Sequence, residues 1–239
     1  MVKNHLAYLV LFLLLSSCAQ RIKVPINRMI SPEAIGKGAK VEVREMGFSS
    51  GILDFSDNST ANALVMGTSN DKEFYLAVGI AQRADLFVRV PEESSSLIGL
   101  KVQVLGQSLK ANSAGHSLSF SLGMGSERDK FEQTFSIDLK SDVTDFSLIH
   151  GYRMGPSVLL YDGISVSHYT FDGTISGTTG LSSNEISYAA KNILGAHVGA
   201  IFGGSGMQLK LELATQKIEW SNTDEKIFTH FGMALNAGW

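Results

Sequence analysis

Apolar residues alternate with small or polar residues along most of the chain after residue 60. The last thirteen residues show it most clearly, because the odd positions are Ile227, Thr229, Phe231, Met233, Leu235, Ala237 and Trp239, with mostly small or polar residues between them. Successive side chains of a strand point to opposite faces, so this alternation predicts strands with one apolar face. The pattern therefore predicts an all-β protein.

Similar segments recur between short turns and polar loops. They cover residues 60–67, 74–80, 86–90, 98–104, 116–124, 131–153, 158–171, 186–202, 207–214 and 227–239. The apolar phase shifts by one residue within 131–153, which implies a bulge or a break near Asp142–Asp145. If residues 131–153 form one long bent strand, the pattern predicts about ten strands. An even number of strands places both termini on the same side of the membrane. Eight or twelve strands would do so as well, with Lys40–Phe55 supplying an extra pair. The polar stretches Thr68–Asp71 and Gly125–Lys130 are predicted to be loops.

The second face of these segments is largely Gly, Ser and Ala, with scattered charged or polar side chains. Those predicted to face a lumen are Asp85, Arg89, Lys101, Gln103, Lys191, His197, Gln208, Lys210 and Glu212. Small residues suit the interior of a narrow barrel, whereas most sandwich strands carry strongly charged outer faces. The pattern favours a closed antiparallel up-and-down transmembrane β-barrel. A lipid-tethered β-sandwich that binds a ligand is the structural alternative, since its core needs the same alternation.

The first residues have the organisation of an export signal. Lys3 precedes an apolar run, Leu6–Leu15, which is too short to span a bilayer as a helix. The following Leu15-Ser16-Ser17-Cys18 resembles a bacterial lipobox, although an ordinary secretory signal is the alternative. The resemblance implies a lipoprotein signal peptide at 1–17, a palmitate-type lipid on Cys18, and, because Ala19 rather than Asp follows, an outer-membrane destination.

No sustained periodicity is present in residues 18–39, which are predicted to form a periplasmic tether leading to a barrel domain at 40–239. Cys18 is the single cysteine of the chain, so no intramolecular disulfide is available. The net charge of −3 shows no basic excess, which makes nucleic acid an unsuitable partner.

The C-terminal segment, which ends on an aromatic residue, resembles the last strand of bacterial outer-membrane β-barrels. Residues 81–106 also resemble a hairpin of such barrels, of the small OmpA and OmpW type. The resemblance implies that Phe231, Met233, Leu235 and Trp239 form a signal for the barrel assembly machinery. It also implies a monomer in the lipid of the outer membrane of a Gram-negative bacterium, with the C-terminus in the periplasm.

Candidate catalytic chemistry is sparse. The six histidines are spread singly, without metal-ligand spacing. His168 lies near Ser165 and Ser167, as a Ser/His pair of an outer-membrane lipid hydrolase would, but the sequence around it lacks the fuller His-Ser-Asn pattern that a resemblance to outer-membrane lipid A deacylases would imply. The sequence therefore predicts neither an enzyme nor a cofactor.

These expectations together predict an outer-membrane barrel lipoprotein with a structural or surface-interaction role. Its outer loops, chiefly Asp172–Glu185, would make the external contacts. A narrow passive channel for small solutes is the alternative, because the inward face is polar.

Overall fold

The computed structural model describes residues 19–54, 62–92, 94–111, 113–132, 135–177, 184–220 and 225–238. Its strands are β1 (Ala19–Pro25), β2 (Gly38–Asp54), β3 (Asn62–Ala81), β4 (Ala84–Pro91), β5 (Leu97–Leu105), β6 (Gly115–Glu132), β7 (Phe135–Gly155), β8 (Val158–Gly177), β9 (Asn184–Gly203), β10 (Met207–Trp220) and β11 (Lys226–Gly238). A short 3-10 helix, Leu109–Ala111, lies between β5 and β6. Among the described residues, no helix is long and apolar enough to cross a bilayer.

The sheet closes on itself. From β3 to β11 each strand pairs antiparallel with the next one in sequence, and β2 pairs with β3 on one side and with β11 on the other. This ring is a closed antiparallel up-and-down barrel of ten strands, as the alternation predicted. A sandwich requires two separate sheets, so the β-sandwich alternative is wrong.

The predicted strand number is confirmed, but the ten strands divide the chain differently. Thr68–Asp71 lies within the continuous strand β3, and Gly125–Lys130 lies within β6. The segment that was left undecided, Lys40–Phe55, provides the strand β2 up to Asp54. Polar stretches were mistaken for loops because several strands continue beyond the apolar part of the barrel, where their outward side chains are polar.

The prediction of a bulge or a break near Asp142–Asp145 is also wrong. The pairing of β7 with β6 and β8 keeps one register through these residues. Leu139 and Val143 are buried on the inward face, whereas Phe146 is exposed on the outward face. The apolar phase changes because the extended end of β7 is apolar inside and polar outside, the reverse of the arrangement lower in the barrel.

Exposed apolar side chains form a belt around the outside of the barrel. They include Val43 on β2, Phe74, Leu76, Val78 and Ile80 on β3, Leu86 on β4, Ile98 and Leu100 on β5, Phe120, Leu122 and Met124 on β6, Phe146 and Leu148 on β7, Leu160, Ile164 and Val166 on β8, Leu194, Val198 and Phe202 on β9, Leu209 and Leu213 on β10, and Phe231, Met233 and Leu235 on β11. We call this set the apolar belt. An apolar surface that surrounds a whole barrel is typical of contact with hydrocarbon.

The two ends of the barrel differ. At one end, short connections join β3 to β4, β7 to β8 and β9 to β10. We call this the inner end, because outer-membrane barrels have short periplasmic turns. Gly38 and Gly238, the ends of β2 and β11, lie there. At the opposite, outer end, β6, β7 and β8 extend past the apolar belt.

Residues 19–37 form the N-terminal segment, which we call the lumen segment because residues 22–36 are buried inside the barrel. Its first part, β1, pairs with the outer half of β2, from Ala19↔Asp54 to Pro25↔Phe48. Consecutive residues from Ile22 to Gly36 are buried, so both faces of the segment are covered. The predicted periplasmic tether at 18–39 is therefore wrong for these residues. The segment lacks periodicity because its partners are lumen side chains on several sides and not one flat sheet face.

An arginine within the apolar belt should impair folding far more than one above it. Leu76→Arg places a charge in the belt, and such a charge costs about 2–4 kcal/mol at the bilayer midplane of β-barrels. The matched control is Asn70→Arg, on the same strand and outward face but beyond the belt. The folded fraction after reconstitution in lipid, read from the gel band that shifts on boiling, should fall for Leu76→Arg alone. Equal folded fractions would contradict the position of the belt.

Candidate functional site

The lumen is the candidate functional site, because the fold concentrates buried ionisable side chains there. The wall contributes Lys40, Glu42, Arg44, Glu73, Asp85, Arg89, Lys101, Asp145, Arg153, Lys210 and Glu212, and the lumen segment contributes Lys23, Arg28 and Glu33. Strand alternation explains the wall set, since these side chains occupy the face opposite the apolar belt. Burial of a charge is costly unless it is paired or hydrogen-bonded. Each of these groups makes an ion pair or hydrogen bond.

Most of the predicted lumen-facing residues lie in this site. Asp85, Arg89, Lys101, Gln103, His197, Gln208, Lys210 and Glu212 are buried on the inward face. Lys191 belongs to β9, but its side chain lies outside the described residues. Sequence reasoning missed the charged residues of the lumen segment and of β2. The signal on β2 was present in the sequence, because Lys40, Glu42 and Arg44 alternate with the apolar residues Val41 and Val43.

Glu212 binds the backbone of the lumen segment. Its two carboxylate oxygens accept hydrogen bonds from the backbone N–H groups of Arg28 and Met29, each at 2.8 Å. The hydroxyl of Tyr161 donates to the same carboxylate at 3.0 Å. A carboxylate can accept several such bonds, and bonds to an ionised acceptor are stronger than neutral ones. Glu212 therefore satisfies two backbone donors that otherwise have no strand partner.

Asp85 and Lys101 form a second clamp nearer the inner end. The backbone N–H of Ile35 donates to both oxygens of Asp85, at 3.0 and 3.1 Å. Lys101 pairs with Asp85 at 2.9 Å and donates to the backbone carbonyls of Ser31 and Glu33, at 3.3 and 2.7 Å. One acid–base pair of the wall thus binds both donors and acceptors of the segment's backbone.

Met29 is held in a left-handed conformation, with φ of 51°. Such a φ is unfavourable for a non-glycine residue and persists where surrounding contacts fix it. The carbonyl oxygen of Met29 accepts from Lys210 Nζ at 2.8 Å and from Arg44 Nη2 at 3.2 Å. Its N–H is bound by Glu212, as described above. Wall contacts on both sides of this residue account for the turn in the chain.

The side chains of Arg28 and Glu33 also bind the wall. The guanidinium of Arg28 lies 3.1 Å from Asp145 Oδ2 through Nε and donates to Ser167 Oγ at 2.6 Å through Nη2. Arg153 binds the carboxylate of Glu33 in bidentate fashion, with Nε 2.7 Å from Oε1. The two charged wall partners, Asp145 and Arg153, both lie on β7, and each carries the charge opposite to that of its partner in the segment. They fix which residues of the segment lie at each depth.

Further ion pairs connect the wall strands to one another. Arg44 donates to Glu42 at 2.9 Å and to Glu73 at 2.6 Å, and Arg89 donates to Glu73 at 2.9 Å. The Arg44 guanidinium also lies 3.9 Å from the centre of the Tyr75 ring, within cation–π range. This network connects β2, β3 and β4 on the inward face of the wall.

Wall glycines allow the segment to approach the sheet closely. A Cβ at Gly79 would lie 1.4 Å from the carbonyl oxygen of Gly36, and one at Gly151 would lie 2.6 Å from Pro32 Cγ. No side chain fits at the first position, and the second would force the proline ring to move. These glycines thus leave the space in which the segment packs against the wall.

The Ser/His hypothesis does not fit the geometry. His168 is exposed on the outward face of β8, whereas Ser165 and Ser167 are buried on the inward face. Ser167 is instead hydrogen-bonded to Arg28 and Asp145. Among the residues that the structure describes, no group of three or more His, Cys, Asp or Glu side chains could hold a metal ion.

No protein-family model and no curated protein matches the chain. Among solved structures, the crystal structure of Ail, the attachment invasion locus protein of Yersinia pestis, is similar with a TM-score of 0.36 and 11% identity, covering 85% of this chain and 99% of that one. The structure of Ail in complex with the heparin analogue sucrose octasulfate gives a TM-score of 0.39 and 10% identity, with the same coverage. The barrel fold itself is established by the strand pairing described above.

Removing the charge of Glu212 should destabilise the protein. Glu212→Gln keeps the size of the side chain but turns one acceptor towards a backbone N–H into a donor. A buried donor left without a partner costs about 1–3 kcal/mol. Glu45→Gln, the same change at an exposed position of β2, should stay within about 0.5 kcal/mol of wild type. Urea unfolding in detergent measures both; equal free energies of unfolding would contradict the assigned contact.

The Glu33–Arg153 pair should show strong coupling. Arg153→Met leaves the buried Glu33 carboxylate without its bidentate partner, and breaking a buried pair costs about 3–5 kcal/mol. In Glu33→Met/Arg153→Met both charges are removed, so this double variant should be more stable than Arg153→Met. A double-mutant cycle of unfolding free energies checks this. Additive effects would show that the two side chains do not meet in the folded protein.

Proposed function

We propose that this protein is an outer-membrane β-barrel lipoprotein with a structural or surface-interaction role, and that its own N-terminal segment closes the lumen. The observation that carries the proposal is the burial of residues 22–36 inside a barrel with an apolar outer belt. The belt supports membrane insertion, and the filled lumen supports a role other than transport.

A bilayer location is supported by both surfaces of the sheet. Outward side chains in the belt are apolar, and closure of the ring pairs the strand backbones with one another. A closed barrel is one of the two structures that satisfy backbone hydrogen bonds in hydrocarbon. The export signal, with Cys18 as the lipidated residue and Ala19 after it, points to the outer membrane of a Gram-negative bacterium.

The outer end offers a hydrated surface for interactions. On the extensions of β6 and β7, Arg128 donates to both oxygens of Asp138, at 2.6 and 2.7 Å, and Lys140 donates to Asp142 at 2.6 Å. The hydrogen bond from Arg128 holds the pKa of the Asp138 carboxyl below its ordinary value. Paired charges of this kind suit strands that stand in water above the membrane, where an external partner would be met.

The C-terminal strand supports assembly by the machinery that inserts such barrels. Phe231, Met233 and Leu235 lie outward on β11 and are exposed, so they are available for recognition before and after folding. Trp239 lies outside the described residues. Outer-membrane lipid and this machinery are the partners we propose, for a protein acting as a monomer.

A passive channel is the competing function, and it requires a continuous water-filled path. The lumen segment occupies that path, with wall contacts from Arg28 near the middle of the segment to Ile35 near the inner end. Solute passage would therefore need the segment to leave its buried partners. The geometry favours the closed barrel.

Planar bilayers separate the two functions. Purified wild-type protein that shows a heat-modifiable folded band should insert without stable stepwise conductance, because the lumen segment fills the pore. A folded porin in the same bilayer serves as the positive control for detection. Reproducible conductance steps from wild-type protein would overturn the closed-barrel proposal in favour of the channel.

A further inference from the structure

We propose that the chain is threaded through its own barrel, so that the end of the lumen segment at Ala19 emerges at the outer end and is displayed outside the cell. This inference rests on the membrane orientation given under the proposed function. It assigns the start of the lumen segment to the outer surface of the barrel.

The direction of the segment follows from two pairings. Gly38, where the segment ends and β2 begins, pairs with Gly79 next to the short β3–β4 turn of the inner end. Ala19, where the segment begins, pairs with Asp54 at the far end of β2. The chain therefore passes from the outer end to the inner end through the lumen before it enters the barrel wall.

Lumen contacts occur in the order that this path requires. Asn27 and Arg28 follow β1 and contact Gly47, Glu212 and Asp145. Further along the segment, Ala34 donates to Gln103, and its carbonyl accepts from Leu109 in the inner-end connection. The segment is thus fixed along its length.

A lipid on Cys18 in the periplasmic leaflet is incompatible with this arrangement. The Ala19 end of the segment lies at the outer end, the opposite end of the barrel from the periplasmic leaflet. Anchoring in the periplasmic leaflet would need the whole segment to be withdrawn, which would remove the contacts that Glu212, Asp85 and Arg153 make with it. Anchoring in the outer leaflet needs only the first residues of β1 to leave the ladder.

The first experiment labels single cysteines with a membrane-impermeant maleimide on intact cells. Ala19→Cys is compared with Glu92→Cys, at the outer-end turn after β4, and Arg83→Cys, at the inner-end turn before it; both control positions are exposed. Wild type, whose Cys18 is blocked if lipidated, gives the background. Ala19→Cys should label on intact cells as Glu92→Cys does, while Arg83→Cys should label only after permeabilisation.

The controls separate the two possible failures. Labelling of Ala19→Cys only after permeabilisation, with the controls behaving as stated, would overturn threading and leave the barrel proposal standing. Reversed labelling of Glu92→Cys and Arg83→Cys, or release of the protein into the soluble fraction, would overturn the proposed membrane orientation instead.

A second measurement covers the case in which Ala19→Cys does not react at all. The double variants Gln20→Cys/Leu53→Cys and Arg21→Cys/Ile52→Cys place cysteines at adjacent partner positions of β1 and β2. Adjacent antiparallel pairs alternate between wide and close Cα spacing, so the Cα atoms of one of the two pairs lie at the closer spacing. Oxidation of the folded protein should cross-link one pair, detected by a gel shift that reductant reverses. Failure of both pairs to cross-link would overturn the threaded path.

Discussion

The structure depends on the binding of the lumen segment's backbone by charged side chains of the barrel wall. A barrel of eight strands has an interior that side chains alone can fill, and a wider barrel leaves space. In this ten-strand barrel the space is occupied by the chain itself. The segment brings backbone donors and acceptors into a dry interior, where each needs a partner. Glu212, Asp85, Lys101 and Lys210 supply those partners.

The dependence is mutual. Without the segment, the Glu212 carboxylate would keep Tyr161 as a donor but lose two backbone N–H groups, and Arg153 would lose its bidentate partner Glu33. Removing one partner of a buried pair costs more than the pair itself contributes. A lumen with this charge arrangement is therefore stable when filled. The same arrangement fixes the path of the segment through the lumen.

The sequence predicted the wall better than its contents. Strict alternation on strands such as β11 identified the barrel and its two faces, because the same spacing repeats over a whole strand. The lumen segment has no such period, since Asn27, Arg28 and Glu33 contact several strands, among them β2, β7, β8 and β10. Its partners are distant in the sequence; Arg28 and Glu212, for example, are 184 positions apart. Pairing over such distances leaves no local pattern, so the segment was predicted to be a tether.

Hydrogen exchange of the lumen segment's amides tests the central claim most directly. In the folded protein, purified from membranes and held in detergent, the backbone N–H groups of Arg28, Met29, Ala34 and Ile35 donate to wall side chains. We expect these amides to exchange as slowly as those of the barrel strands, because opening them requires the segment to leave the lumen. Exchange at the rate of an unstructured peptide, with the strand amides still protected, would show that the segment lies outside the barrel.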